Sequence, residues 1–72
     1  MERGRIKMGA TADFRRLIEF AIKEEKKAQD LYKKMALKTK DPFAKAILQG
    51  LFEEERAHEE KLQSILSSVD PS

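Results

Sequence analysis

Three side chains in this 72-residue sequence have the types and spacing to hold a cation: Glu25, Glu55 and His58. Glu55-Arg56-Ala57-His58 is a Glu-x-x-His run, and positions i and i+3 of a helix share one face. Carboxylates with an imidazole suit iron or manganese, with zinc as a further possibility. Each of the three stands where apolar residues belong. Alternating steps of four and three along the first half of the chain read Phe14, Ile18, Ala21, Glu25, Ala28, Tyr32, Met35. The same steps along the second half read Ala44, Leu48, Leu51, Glu55, His58, Leu62, Ile65, Val69. An unpaired carboxylate among apolar neighbours is costly, so each must pair, take up a proton or bind a cation.

Two helices are needed to carry these series. From Thr11 to Lys38 there is neither Gly nor Pro, and Ala, Leu, Lys and Glu dominate, which predicts a helix over about 12–38 capped by Thr11 or Asp13. The one clear break is Thr39-Lys40-Asp41-Pro42. Asp41 as N-cap with Pro42 at the first helical position predicts a second helix over about 42–67, ended by Val69-Asp70-Pro71-Ser72. Gly50 inside that helix costs about 1 kcal/mol relative to Ala and suggests a close backbone neighbour. Residues 1–10 hold two of the three glycines and no apolar period, so they read as a flexible arm ahead of a hairpin over 11–69. Residue 40 is the midpoint between Glu25 and Glu55. A hairpin folded there brings Glu25 level with Glu55 and His58.

Composition narrows the class. No cysteine is present, which excludes disulfides, zinc fingers, iron–sulfur clusters and thiol catalysis. Fifteen Lys+Arg against thirteen Asp+Glu give a mixed surface of net charge +2, and the only one-sided basic patch is Arg3, Arg5 and Lys7. Neither nucleic acid nor membrane is expected as a partner, since no apolar run nears the roughly 20 residues of a span. A cytoplasmic location is expected. A chain this short buries only about 60% of its unfolded surface, so its own core is marginal. Its apolar faces are wider than one hairpin can use, which predicts an all-α fold in which two hairpins dimerise into a four-helix bundle. One chain supplies a Glu and a Glu-x-x-His. Two chains supply the full ligand set of a di-iron carboxylate centre.

The stretch Ala21-Ile22-Lys23-Glu24-Glu25-Lys26-Lys27-Ala28 with Tyr32 resembles the first helix of rubrerythrin and its ferritin-like relatives, whose pattern is Glu, Ala three later and Tyr seven later. Asp41-Pro42 with Leu51-Phe52-Glu53-Glu54-Glu55-Arg56-Ala57-His58 is similar to the second helix. The resemblance covers about residues 14–66. It implies a ferritin-like fold, a di-iron centre and chemistry between Fe(II) and O₂ or peroxide, fed by an electron donor that the sequence does not name. It implies Glu25 as the ligand of the first helix, Glu55 as a bridge and His58 as a ligand of one metal. Unlike rubrerythrin, the chain has one hairpin in place of two and no cysteine-ligated electron-transfer module. In this it is also similar to the encapsulated ferritins, ferroxidases that work inside a protein shell.

Plainer roles stand beside these. Glu24 can substitute for Glu25 or sit at the rim; Glu53, Glu54, Glu59 and Glu60 read as a solvated acidic collar. Tyr32 reads equally as a hydrogen-bonding or redox-active neighbour of the ligands and as a core tyrosine. The rival to a metal centre is an interaction module in which Glu25 and His58 form a buried ion pair that sets register.

Overall fold

The computed structural model describes the backbone of residues 3–69 and the side chains of residues 12–69. It is all-helical: α1 runs Arg3–Lys38, α2 runs Pro42–Val69, and the two pack against each other as a hairpin. The turn follows from its residues. Asp41 caps α2, its Oδ1 accepting from Phe43 N–H at 3.0 Å, while Thr39 Oγ1 accepts from Asp41 N–H at 3.3 Å. Pro42, which has no N–H to satisfy, occupies the first helical position. No described helix is long and apolar enough to cross a membrane.

Both helices are longer than the sequence patterns indicate. α1 begins at Arg3, well ahead of Thr11, so Asp13 lies inside it and pairs with Arg16 at 3.7 Å instead of capping. Glycines at 4 and 9 lower helix propensity, but unlike proline they remove no backbone hydrogen bond and can be carried. The first two residues, and the side chains of residues 1–11, lie outside the described residues, and with them the flexibility expected of the arm. α2 continues to Val69, two residues past Ser67. The stop at Asp70-Pro71 lies outside the described residues. Around Gly50 nothing in the hairpin comes within 4 Å of where a Cβ would stand, so no backbone of this chain makes the expected close approach.

The hairpin is a single layer, 60 Å long and 19 by 14 Å across, where one helix with its side chains is already about 10–12 Å wide. Its core is correspondingly small. Among the described residues only Ile18 (8% exposed) and Ile22 (7%) are buried hydrophobics, and α2 buries none. Phe14 and Met35, expected within the seam, are exposed, as are Leu17, Leu31 and Ile47. At 100° per residue these five fall on one broad side of the pair. The opposite groove is edged by Lys26, Asp30, Lys33, Lys45 and Gln49, but its lining is largely apolar, from Tyr32, Ala36, Leu37, Leu48 and Phe52.

Replacing Asp41 with Ala removes the cap and should lower stability by about 1 kcal/mol, with Asp41→Asn nearly neutral. Thermal melts of the two variants beside the parent measure the difference.

Candidate metal centre

Glu25 belongs to the row Ile18, Ile22, Glu25, Gln29, with which α1 faces α2. Glu55 projects from the matching row of α2, and His58 stands one turn beyond it at the margin of the open apolar side. The turn centred on Lys40 sets these at one height. Glu25 and Glu55 are 23% and 22% exposed, against 56% for His58. One ligand atom from each of the three lies within 4.8 Å of the others, and no other three His, Cys, Asp or Glu side chains converge this way among the described residues. His58 Nδ1 is 3.3 Å from Glu55 Oε1 and 3.7 Å from Glu25 Oε1, the second too long for a hydrogen bond.

The pair of carboxyls is frustrated. Glu25 Oε1 is buried and has no hydrogen-bond donor. A proton on Glu25 can be given to Glu55, and this shared proton is the largest reason that Glu25 is raised above the ordinary carboxylate value. Burial and the negative charge of Glu55 raise it further, and His58 opposes them. Glu55 shifts the other way, lowered first by accepting from Glu25 and then by His58, against a desolvation cost. Such a pair takes up either one proton or a cation. A divalent ion would satisfy the orphaned oxygen and neutralise both carboxylates, and two carboxylates with a neutral imidazole are a donor set for iron, manganese or zinc. The residues present therefore fit the metal that the sequence implies.

The remaining acidic residues separate by partner. Glu24 pairs outward with Lys27 Nζ at 3.1 Å and stays outside the cluster. Glu53 takes a 3.4 Å hydrogen bond from Gln49, and Glu60 one of 3.4 Å from Arg56, both at the surface. Glu59 does not belong to a solvated collar. It is half-buried and joins the helices, accepting from Gln29 Nε2 at 2.9 Å and Gln63 Nε2 at 3.1 Å, with Lys26 Nζ at 3.9 Å. Those donors hold its carboxyl below the ordinary range, Gln29 foremost. Side chains of a helix lean toward its N-terminus, so those of two antiparallel helices lean toward each other, which lets Gln29 reach Glu59. The legible signal was the repeat one turn along each helix, Glu25 to Gln29 and Glu55 to Glu59. Tyr32 lines the opposite groove and makes no hydrogen bond to Glu25, Glu55 or His58.

The family model described as Rubrerythrin matches residues 6–71, so the chain belongs to the rubrerythrin family. Neither the curated proteins nor the solved structures yield a match.

The two shifts give the metal-free protein a distinctive pH response. Glu25 binds its proton more tightly folded than unfolded, so its contribution is full below about 4.5 and is lost as pH rises through its raised native value. Glu55 contributes above that range and loses its contribution as pH falls through its lowered value. Glu25→Gln imitates the protonated form. In chelator it should be more stable than the parent at pH 7 by about 1 kcal/mol, the repulsion of two charges at this separation in a water-like medium, and the gap should close below pH 4.5. Denaturant titrations of both proteins at pH 4 and pH 7 check the sign.

Proposed function

We propose that this rubrerythrin-family chain binds iron through Glu25, Glu55 and His58, and that a second copy completes a di-iron centre that oxidises Fe(II) with O₂ or peroxide. The observation that carries this reading is the buried oxygen of Glu25, which has no donor although Glu55 and His58 stand beside it. His58 Nδ1 stands 3.3 Å from Glu55 Oε1 and 3.7 Å from the same Glu25 oxygen, so one imidazole faces two carboxylates and leaves that oxygen without a hydrogen bond, where a cation would satisfy both.

Three donors from one chain leave a metal of six-coordinate preference open, and the exposed apolar side on which His58 borders is where a second chain would add its own set. When bound, the iron supplies the electron exchange with the oxidant. The chain's own residues do the rest. Glu25 and Glu55 provide the negative charge that draws and holds Fe(II) as substrate. His58 contributes a neutral nitrogen, and its position at the margin keeps it reachable from solvent. The Gln29–Glu59 clasp holds the helices together beside the site and so fixes the spacing of the two carboxylates.

Anaerobic reconstitution with Fe(II), followed by metal analysis and single-turnover oxidation with O₂ and then H₂O₂, tests the proposal. Fe(II) at a hundredfold excess over its Kd should stabilise the protein by about 2.7 kcal/mol, and the gain should fade below about pH 5 as the ligands protonate. His58→Ala should lose iron and Fe(II) oxidation while keeping its helical content. The opposite result is equally readable. An iron-free parent, with each of Glu25→Ala, Glu55→Ala and His58→Ala less stable by about 3–5 kcal/mol in chelator, identifies a structural ion pair.

A further inference from the structure

We infer that the groove on the side away from His58 binds a fatty carboxylate, its chain lying along the floor between the helices and its head group beside Lys45. The inference goes beyond the metal reading and holds whether or not the cluster binds iron. Charged rims enclose an apolar floor here. Tyr32, Ala36, Leu48 and Phe52 line a cavity of about 330 Å³ between α1 and α2, with Leu37 at the end nearer the turn. Small-molecule sites have volumes of about 300–1,000 Å³ and combine an apolar lining with a few polar groups, so this one suits a slight ligand. The groove lies opposite the apolar side on which a second chain is placed, so pairing leaves it open.

The dimensions favour a linear chain. Leu37 is three residues before Lys40 and Phe52 twelve after it, so the lining extends over nine residues of helix height, about 14 Å at 1.5 Å per residue. A fully extended chain advances roughly 1.2 Å per bond, which leaves room for about eleven bonds. The apolar floor ends at Phe52. Beyond it the groove passes to Lys26, Asp30 and the Gln29–Glu59 clasp, which offer nothing to an alkyl chain. A chain of about ten to twelve carbons therefore matches the floor from end to end.

The charge at the rims selects the head group. Neighbouring cations already have carboxylates: Lys26 faces Glu59 at 3.9 Å, Lys34 faces Asp30 at 3.0 Å and Arg56 faces Glu60 at 3.4 Å. Lys33 and Lys45, one on each rim, have none among the described residues. Helix side chains lean toward the N-terminus, so Lys33 leans toward the Phe52 end and Lys45 toward the turn. Asp30 and Glu59 stand at the Phe52 end and would repel an anion there. The carboxylate thus belongs with Lys45, while Lys33 adds attraction across the groove. The Tyr32 hydroxyl also has no partner among the described residues, which leaves one donor in the floor. An anionic bilayer fits less well, because Asp30 and Glu59 would face its head groups.

Tyr32 is the one tyrosine of the chain and there is no tryptophan, so its emission reports directly from the floor. The full chain, in chelator so that no metal takes the carboxylate, is titrated with sodium octanoate, decanoate, dodecanoate and tetradecanoate below their micelle thresholds. Decanol serves as the neutral control, and Tyr32 emission and the heat of binding are followed together. One ligand should bind per chain. Affinity should rise about two- to fourfold per methylene, less than or equal to the gain for full burial, and level off near twelve carbons. Lys45→Gln should weaken decanoate binding about three- to fivefold and Lys33→Gln less, with decanol binding unchanged. Both lysines are exposed, so each variant should keep its helical content, which circular dichroism checks. Absence of saturation below about 1 mM decanoate overturns the inference. So do several ligands per chain, a Lys45→Gln effect that is nil or equal for decanol and decanoate, and preferential binding to anionic phospholipid vesicles.

Discussion

The relative height of two helices is the constraint on which everything else in this molecule depends. Asp41 and Pro42 fix where α2 starts, and Thr39 closes the turn onto Asp41, so the hairpin has one register. That register sets Glu25 opposite Glu55 and His58. A shift of one residue in the turn would rotate either row by about 100° and separate the three groups. The cap contributes about 1 kcal/mol by itself. Its larger consequence is geometric.

The cluster held by this register does not stabilise the bare hairpin. Two carboxyls meet at one point, the Glu25 oxygen has no donor, and the pair relaxes only by sharing a proton or gaining a cation. The scaffold has little to set against that cost, since Ile18 and Ile22 alone form its buried core among the described residues. A divalent cation that bound only the folded hairpin would relieve that cost. The Gln29–Glu59 contact is the counterweight. It is a satisfied polar contact between the helices, made where the carboxyl pair beside it is unsatisfied.

The two sides of the hairpin differ in form. One carries exposed Phe14, Leu17, Leu31, Met35 and Ile47, the other a groove with charged edges over Tyr32, Leu37, Leu48 and Phe52. The cluster opens toward the apolar side, through His58. Apolar surface around a charged site lowers the local dielectric once covered and strengthens every charge–ligand contact there.

Much of this was legible in the residues. Two helices, the Asp41-Pro42 start and the meeting of Glu25, Glu55 and His58 follow from helical period and from the distance to Lys40, because these are local rules applied to one short turn. The sequence reading went wrong where long-range packing decides. Nothing local excludes a helix through glycines 4 and 9, which lower propensity but remove no backbone hydrogen bond, and α1 begins at Arg3. Phe14 and Met35 look like core by spacing, yet a single-layer hairpin has no second surface to cover them. Glu59 looks like any exposed glutamate; only the lean of antiparallel side chains toward each other brings Gln29 to it. Periodicity specifies which face a residue occupies, whereas what lies against that face depends on the other helix, and only the tertiary structure supplies it.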